Sequence, residues 1–172
     1  MILEAFYPGE WLDSTYQIPW EQWYEKKIRG VIFDVDNTLV PHGAPADERA
    51  TALFHKLHGM GIGTCLLSNN KEPRVASFAA QVDSPYIYKA GKPSVKNYKK
   101  AMERMNTSPD TTLFVGDQLF TDVYGANRAG IYSVLVKPIN PKEEIQIVLK
   151  RYLEAVVLHF YKKTLRGGKR PG

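Results

Sequence analysis

The sequence predicts an α/β fold: one Rossmann-like domain whose parallel sheet of about five strands carries helices on both faces. Three observations predict it. Short apolar runs alternate with helical patterns from residue 31 to residue 136. The run Val31-Ile32-Phe33 is apolar at every position, as a central strand covered on both sides requires. Several of these runs end on small or polar residues, as in Phe33-Asp34, Leu67-Ser68 and Val115-Gly116-Asp117. The length of 172 residues suits one domain with a sizeable core.

Residues 1–30 form an aromatic N-terminal arm that holds all three tryptophans, Trp11, Trp20 and Trp23. The arm is expected to pack on the core and close an edge; the alternative is an interfacial belt, since Trp and Tyr favour apolar–polar boundaries. Pro19 can open a helix, with Trp20, Trp23, Tyr24 and Ile28 at helical spacing. Residues 31–165 are expected to form the main domain. Its first strand, Val31 to Phe33, leads through the turn-rich Val40-Pro41-His42-Gly43-Ala44-Pro45 to a helix from Ala46 or Asp47 to His58, capped near Gly59 and Gly61. Strand Ile62–Leu67, a helix over Glu72–Ala80 and the short strand Tyr86–Tyr88 follow. A helix then runs through Met105, with Val95, Tyr98, Met102 and Met105 on one face. Strand Thr112–Val115, a short helix ending near Ala129 and Gly130, and strand Ile131–Val136 complete the alternation. A long amphipathic helix is expected from Pro141 to about Leu165, and residues 166–172 are expected to be a basic disordered tail.

The net charge of +5 is uneven. From Lys150 onward seven Lys/Arg face one acid, a surplus of +6, which leaves residues 1–149 near −1. The single cysteine, Cys65, excludes an intrachain disulfide framework and a Cys-rich zinc site, and its apolar surroundings suit a buried structural thiol. His42, His55, His58 and His159 show no ligand-like spacing. No apolar run is long enough to span a bilayer. No basic-then-apolar start marks a secretory leader. A cytoplasmic location is the expectation.

The chemistry gathers at strand ends. Asp34 and Asp36 follow the first strand. Two anionic residues one apart call for a cation between them, and Mg²⁺, with its oxygen ligands, is the natural candidate; an Asx-type turn that stops the strand is the structural alternative. Ser68-Asn69 follow the second strand, Lys92 the third, and Asp117 and Asp122 the fourth. In open α/β sheets ligands bind outside the carboxyl ends of the strands, so these groups would converge on one small anion and a metal.

The series Asp34-x-Asp36-x-Thr38, Ser68, Lys92-Pro93 and Gly116-Asp117 with Asp122 five residues on resembles the four-motif signature of the haloacid dehalogenase (HAD) superfamily of phosphatases. The resemblance implies a nucleophilic Asp34, which forms an aspartyl-phosphate. It implies that Asp36 is the general acid and then the base. Mg²⁺ would be held by Asp34, the Asp36 carbonyl and Asp117. Ser68 and the Asn69 amide would bind phosphoryl oxygens, and Lys92 would offset charge. Asp122 would orient metal-bound water or Lys92, and Thr38 would brace the Asp34 loop. Each residue also has a structural role open to it: Ser68 as a turn cap, Lys92 as a solvated loop lysine, Asp122 as a helix cap.

The segments that carry a cap domain in many relatives are nearly empty here. That implies the capless subclass III and an open site for a large or surface-borne substrate. The Asp-x-Asp-Asn-Thr-Leu-Val-Pro stretch, the early aromatic arm and Ser68-Asn69-Asn70 are most similar to the YqeG-type IIIA branch, related to phosphatidylglycerophosphate phosphatases. The implied function is a Mg²⁺-dependent phosphomonoesterase of a bulky or lipid phosphate such as phosphatidylglycerophosphate. The alternatives are the same chemistry on a nucleotide, sugar or polynucleotide phosphate, or a phospho-switch that does not turn over. The basic stretch with Leu153, Val156, Val157, Phe160 and Tyr161 can dock on an anionic membrane or simply pack on the sheet. Nucleic acid is not the expected partner, and no feature of the sequence sets an oligomeric state.

Overall fold

The computed structural model describes residues 2–140, and beyond them residues 152, 153, 155, 156, 159, 163, 166 and 167. The chain divides into two compact units, Met1–Asn140 and Pro141–Gly172. The expected helix over residues 141–165 and tail over residues 166–172 lie for the most part outside the described residues.

The first unit is built on a six-stranded parallel sheet: β1 (Glu10–Leu12), β2 (Gly30–Phe33), β3 (Gly63–Leu67), β4 (Tyr86–Ile87), β5 (Thr112–Gly116) and β6 (Tyr132–Val136). Their order across the sheet is β1-β6-β5-β2-β3-β4. The helices are α1 (Trp20–Glu25), α2 (Glu48–Gly59), α3 (Glu72–Val82), α4 (Val95–Met105) and α5 (Tyr124–Arg128). The sheet of about five strands expected from the sequence has six. The additional strand is β1, inside the aromatic arm, where three residues are too few to show a period; it lies parallel to β6, with Trp11 opposite Leu135.

Strand β2 explains the sandwich by itself. All four of its residues are buried. Successive side chains point to opposite faces. Val31 and Phe33 join the cluster under α1, α2 and α3, with Trp20, Phe54 and Phe78. Ile32 joins Cys65, Phe114, Tyr98 and Met102 on the α4 and α5 side. Burial raises the Cys65 thiol to about 12, so it stays protonated and inert.

Helix α1 stops at Glu25 and does not reach Ile28, because Lys27 turns into the left-handed region at φ 74°. Asp47 caps α2, its side chain accepting from the Ala50 N–H at 2.8 Å. Between β5 and α5 the chain makes one π-helical turn, Leu119–Val123, a feature that often marks functional sites.

Candidate active site

Strand order places the site. β2 has β3 on one side and β5 on the other, and Phe33 lies level with Leu66 and Val115. The residues that leave these three strands therefore share one rim of the sheet, at the point where the order reverses. Asp34 follows β2, Ser68 follows β3 and Asp117 follows β5.

Lys92 binds this rim together. Its Nζ donates to Asp34 Oδ1 at 2.9 Å and to Asp122 Oδ1 at 2.6 Å, with its side chain only 3% exposed. Burial alone would lower its proton affinity, but Asp122 and Asp34 outweigh burial and raise it, so Lys92 is an ammonium. The π-helical turn brings Asp122 here, and its Oδ2 accepts from the Gln118 N–H at 3.1 Å. Gly116 makes room: a Cβ there would stand 2.5 Å from Asp122 Oδ2. Tyr98 braces the turn from below, its hydroxyl reaching the carbonyl oxygens of Thr121 and Asp122 at 3.0 and 3.1 Å.

Asp34, Asp117 and Asp122 present carboxylate oxygens within 4.8 Å of one another, and all three residues are buried. One ammonium faces three carboxylates. Thr38 Oγ1 lies 3.2 Å from Asp34 Oδ2 and 3.0 Å from Asp117 Oδ1, yet a hydroxyl has one proton to donate. Asp117 Oδ2 is buried without a hydrogen-bond partner. Burial, and then Asp34 and Asp122, push the Asp117 carboxyl well above the ordinary range, and burial and Asp34 do the same to Asp122. A buried oxygen lacking a donor beside surplus negative charge is what a hard divalent cation would satisfy. Asp34 and Asp117 fit such an ion as direct ligands, while both Asp122 oxygens are engaged by Lys92 and Gln118.

Ser68, Asn69 and the Lys92 loop interlock. The Lys92 N–H donates to Asn69 Oδ1 at 2.9 Å, and Asn69 Nδ2 donates to the Lys92 carbonyl at 3.3 Å. Ser68 Oγ accepts from the Asn70 N–H at 3.1 Å, which leaves its own proton for another acceptor.

Asp36 stands apart from the trio. Its Oδ1 accepts from the Gly43 N–H at 2.8 Å and from Arg74 at 2.9 and 3.2 Å, and its Oδ2 accepts from Asn70 Nδ2 at 3.3 Å. Burial would raise this carboxyl, but the Gly43, Arg74 and Asn70 donors prevail and hold it below the usual range. Arg74 has no counterpart among the sequence-derived candidates. The available signal was its place: a cation one helical turn beyond the Ser68-Asn69-Asn70 run, in the first turn of α3.

The arm reaches this site as well. Thr15 Oγ1 donates to the Thr38 carbonyl at 2.8 Å, and the Tyr16 hydroxyl donates to the Leu39 carbonyl at 2.7 Å. Both carbonyls belong to the loop that carries Asp34 and Asp36.

Known proteins share this arrangement of sequence. The HAD-hydrolase-like family model matches residues 89–140. The chain is 34% identical over 164 residues to the probable phosphatase YqeG of Bacillus subtilis, covering 95% of each chain. The chain belongs to the HAD superfamily. It is an HAD-type phosphatase, a hydrolase of phosphoric monoesters. A second relative is the chloroplastic/mitochondrial phosphatidylglycerophosphate phosphatase 1 of Arabidopsis thaliana, 27% identical over 90% of this chain but only 47% of that longer protein. Among solved structures, the HAD fold matches the cobalt-bound deoxy-D-mannose-octulosonate 8-phosphate phosphatase of Haemophilus influenzae at TM-score 0.51 and 16% identity, over 76% of this chain and 90% of that one. A Legionella pneumophila protein assigned to HAD subfamily III A matches at TM-score 0.52 and 18% identity, over 70% and 72%. As in a capless HAD domain, only residues 39–47, α2 and β3 stand between Thr38 and Ser68, and only α3 and β4 between Asn70 and Lys92.

Proposed function

We propose that this HAD phosphatase is a Mg²⁺-dependent phosphomonoesterase that works through an aspartyl-phosphate on Asp34 and acts on a bulky, lipid-linked phosphate such as phosphatidylglycerophosphate. The observation that carries the chemistry is the Lys92 ammonium bridging Asp34 and Asp122 beside the unsatisfied Asp117 oxygen. The two connections too short for a cap, together with the name of the Arabidopsis relative, support the substrate class.

Asp34, Asp117 and the Asp36 carbonyl would hold Mg²⁺, and Asp122 would orient its surroundings. The ion, when bound, offsets charge so that an anionic nucleophile can approach an anionic phosphate. Lys92 neutralises part of the same charge and fixes the Asp34 carboxylate for in-line attack. Ser68 and the Asn69 amide donate to the phosphoryl oxygens. An Asp34 oxygen bonds to phosphorus as the ester oxygen leaves with a proton from Asp36. Asp36, now ionised, accepts a proton from the water that displaces Asp34 from phosphorus. The Gly43, Asn70 and Arg74 donors stabilise that ionised form, so the acid step requires the negative charge of the bound phosphate to raise the proton affinity of Asp36 against them. Thr38 holds the nucleophile's second oxygen in place.

The test is turnover of an aryl phosphate with Mg²⁺. Asp34→Asn is expected to lower kcat by about 10³-fold or more, since a covalent step has no substitute nucleophile, and EDTA is expected to abolish it. Hydrolysis that survives either change overturns the reading. A screen of lipid phosphates in micelles against nucleotide and sugar phosphates tests the substrate class. Peripheral docking through the basic stretch from Lys150, whose Tyr152, Leu153 and Val156 are 41, 57 and 50% exposed, is part of the same proposal. Anionic liposomes should sediment the full chain but not a chain lacking residues 150–172; equal binding overturns it.

A further inference from the structure

Beside the catalytic rim, along the β4 edge of the sheet, lies a groove of about 540 Å³ lined by Glu72, Tyr86, Tyr88, Lys89, Lys100 and Arg104 among others. Its charge is one-sided. Lys89 and Lys100 are exposed cations, and among the described residues neither they nor Arg104 has a carboxylate partner. The one acid, Glu72, accepts a hydrogen bond from the Tyr86 hydroxyl at 3.2 Å. Arg104 is anchored by donating to the Tyr86 carbonyl.

The groove and the catalytic site share a wall. Lys89 stands three residues before Lys92, so their Cα atoms lie within about 11 Å of each other. The Lys89 N–H donates to the Asn70 carbonyl at 2.9 Å, and Asn97, which also lines the groove, donates to the Ala90 carbonyl at 2.8 Å. The loop that sets Lys92 therefore also sets Lys89, one cation of the groove.

The geometry points to a second anion subsite: the groove takes a further phosphate group of the same substrate, beyond the one being hydrolysed. This rests on the phosphatase reading above and narrows its substrate to molecules with two phosphates. Asp34, Asp36, Asp117 and Asp122 make the rim itself repel any anion other than the one being transferred. Arg74 is occupied by Asp36. A second phosphate is stable where cations without carboxylate partners wait, and Lys89 supplies one three residues from Lys92, with Lys100 lining the same groove. The phosphodiester of a phosphorylated lipid headgroup and the second phosphate of a soluble bisphosphate satisfy the same chemistry.

The test uses the full chain with Mg²⁺ and alkanediol bisphosphates of three to six carbons, each beside its monophosphate. The wild type should show a lower KM for the bisphosphate at one or more lengths. Lys89→Gln with Lys100→Gln should raise that KM by about tenfold and leave kcat/KM for the monophosphate within about twofold, while the Lys→Arg pair restores the preference. Calorimetry with the matching bisphosphonates and monophosphonates reads the same contrast without turnover. No preference in the wild type, or equal losses on both substrates, overturns the subsite. So does a loss seen only with lipid presented in anionic vesicles, which would make the groove a surface contact. A bisphosphate preference that persists while lipid phosphates fail as substrates supports the subsite and removes the lipid reading alone.

Discussion

Asp117 and Asp36 show how position decides what a carboxylate does. Asp117 is buried with one oxygen unsatisfied, whereas Asp36 has four donors. Replacing Arg74 by Gln removes two of those donors from a site in which both side chains are under a fifth exposed. A loss of about 1–2 kcal/mol is expected. The sign follows from a lowered native proton affinity: the contribution is present above the ordinary carboxylate value of about 4 and is lost as pH falls through the native one. Urea titrations at pH 7 should separate variant from wild type, and the gap should narrow as the pH of the titration falls below about 4. Asp117 and Asp122 shift the other way, because the folded form binds protons there more tightly than the unfolded chain does. Without metal, stability should fall as pH rises above about 4 through those raised values. Mg²⁺ at a hundredfold excess over its Kd should return about 2.7 kcal/mol, with a thermal shift that grows with pH because protons and the ion compete for the same oxygens.

At the scale of elements, the aromatic arm is tied to the Asp34 loop through two hydroxyls. Thr15→Val removes the bond to the Thr38 carbonyl and leaves a buried acceptor unpaired. That should cost about 1–3 kcal/mol, with a fall in kcat on an aryl phosphate that exceeds any change in KM, since the loop holding Asp34 loosens. Unfolding and steady-state kinetics on one sample check both. Strands β2, β3, β5 and β6 were legible because each is an apolar run with both faces covered. β1 was not: Trp11 is exposed, the element is three residues long, and its partner lies more than a hundred residues away. The meeting of Asp34, Lys92, Asp117 and Asp122 was legible because strand ends in a parallel sheet share a rim. The hold of Arg74 on Asp36 was not, since it depends on which face of α3 turns toward the loop.

For the molecule as a whole, the arrangement of strands carries a consequence for synthesis. β1 is made first and pairs only with β6, whose last residue is Val136. Leu12, which packs on the core opposite Val136, and Phe6, which stacks on Tyr124, therefore leave the ribosome long before their seats exist. Such distant pairing is slow, and apolar surface left waiting is prone to stray association. The nascent chain should consequently depend on holding factors until its final strand emerges, and a circular permutant that joins the old ends and opens between β1 and α1 makes β6 before β1 and should escape that delay.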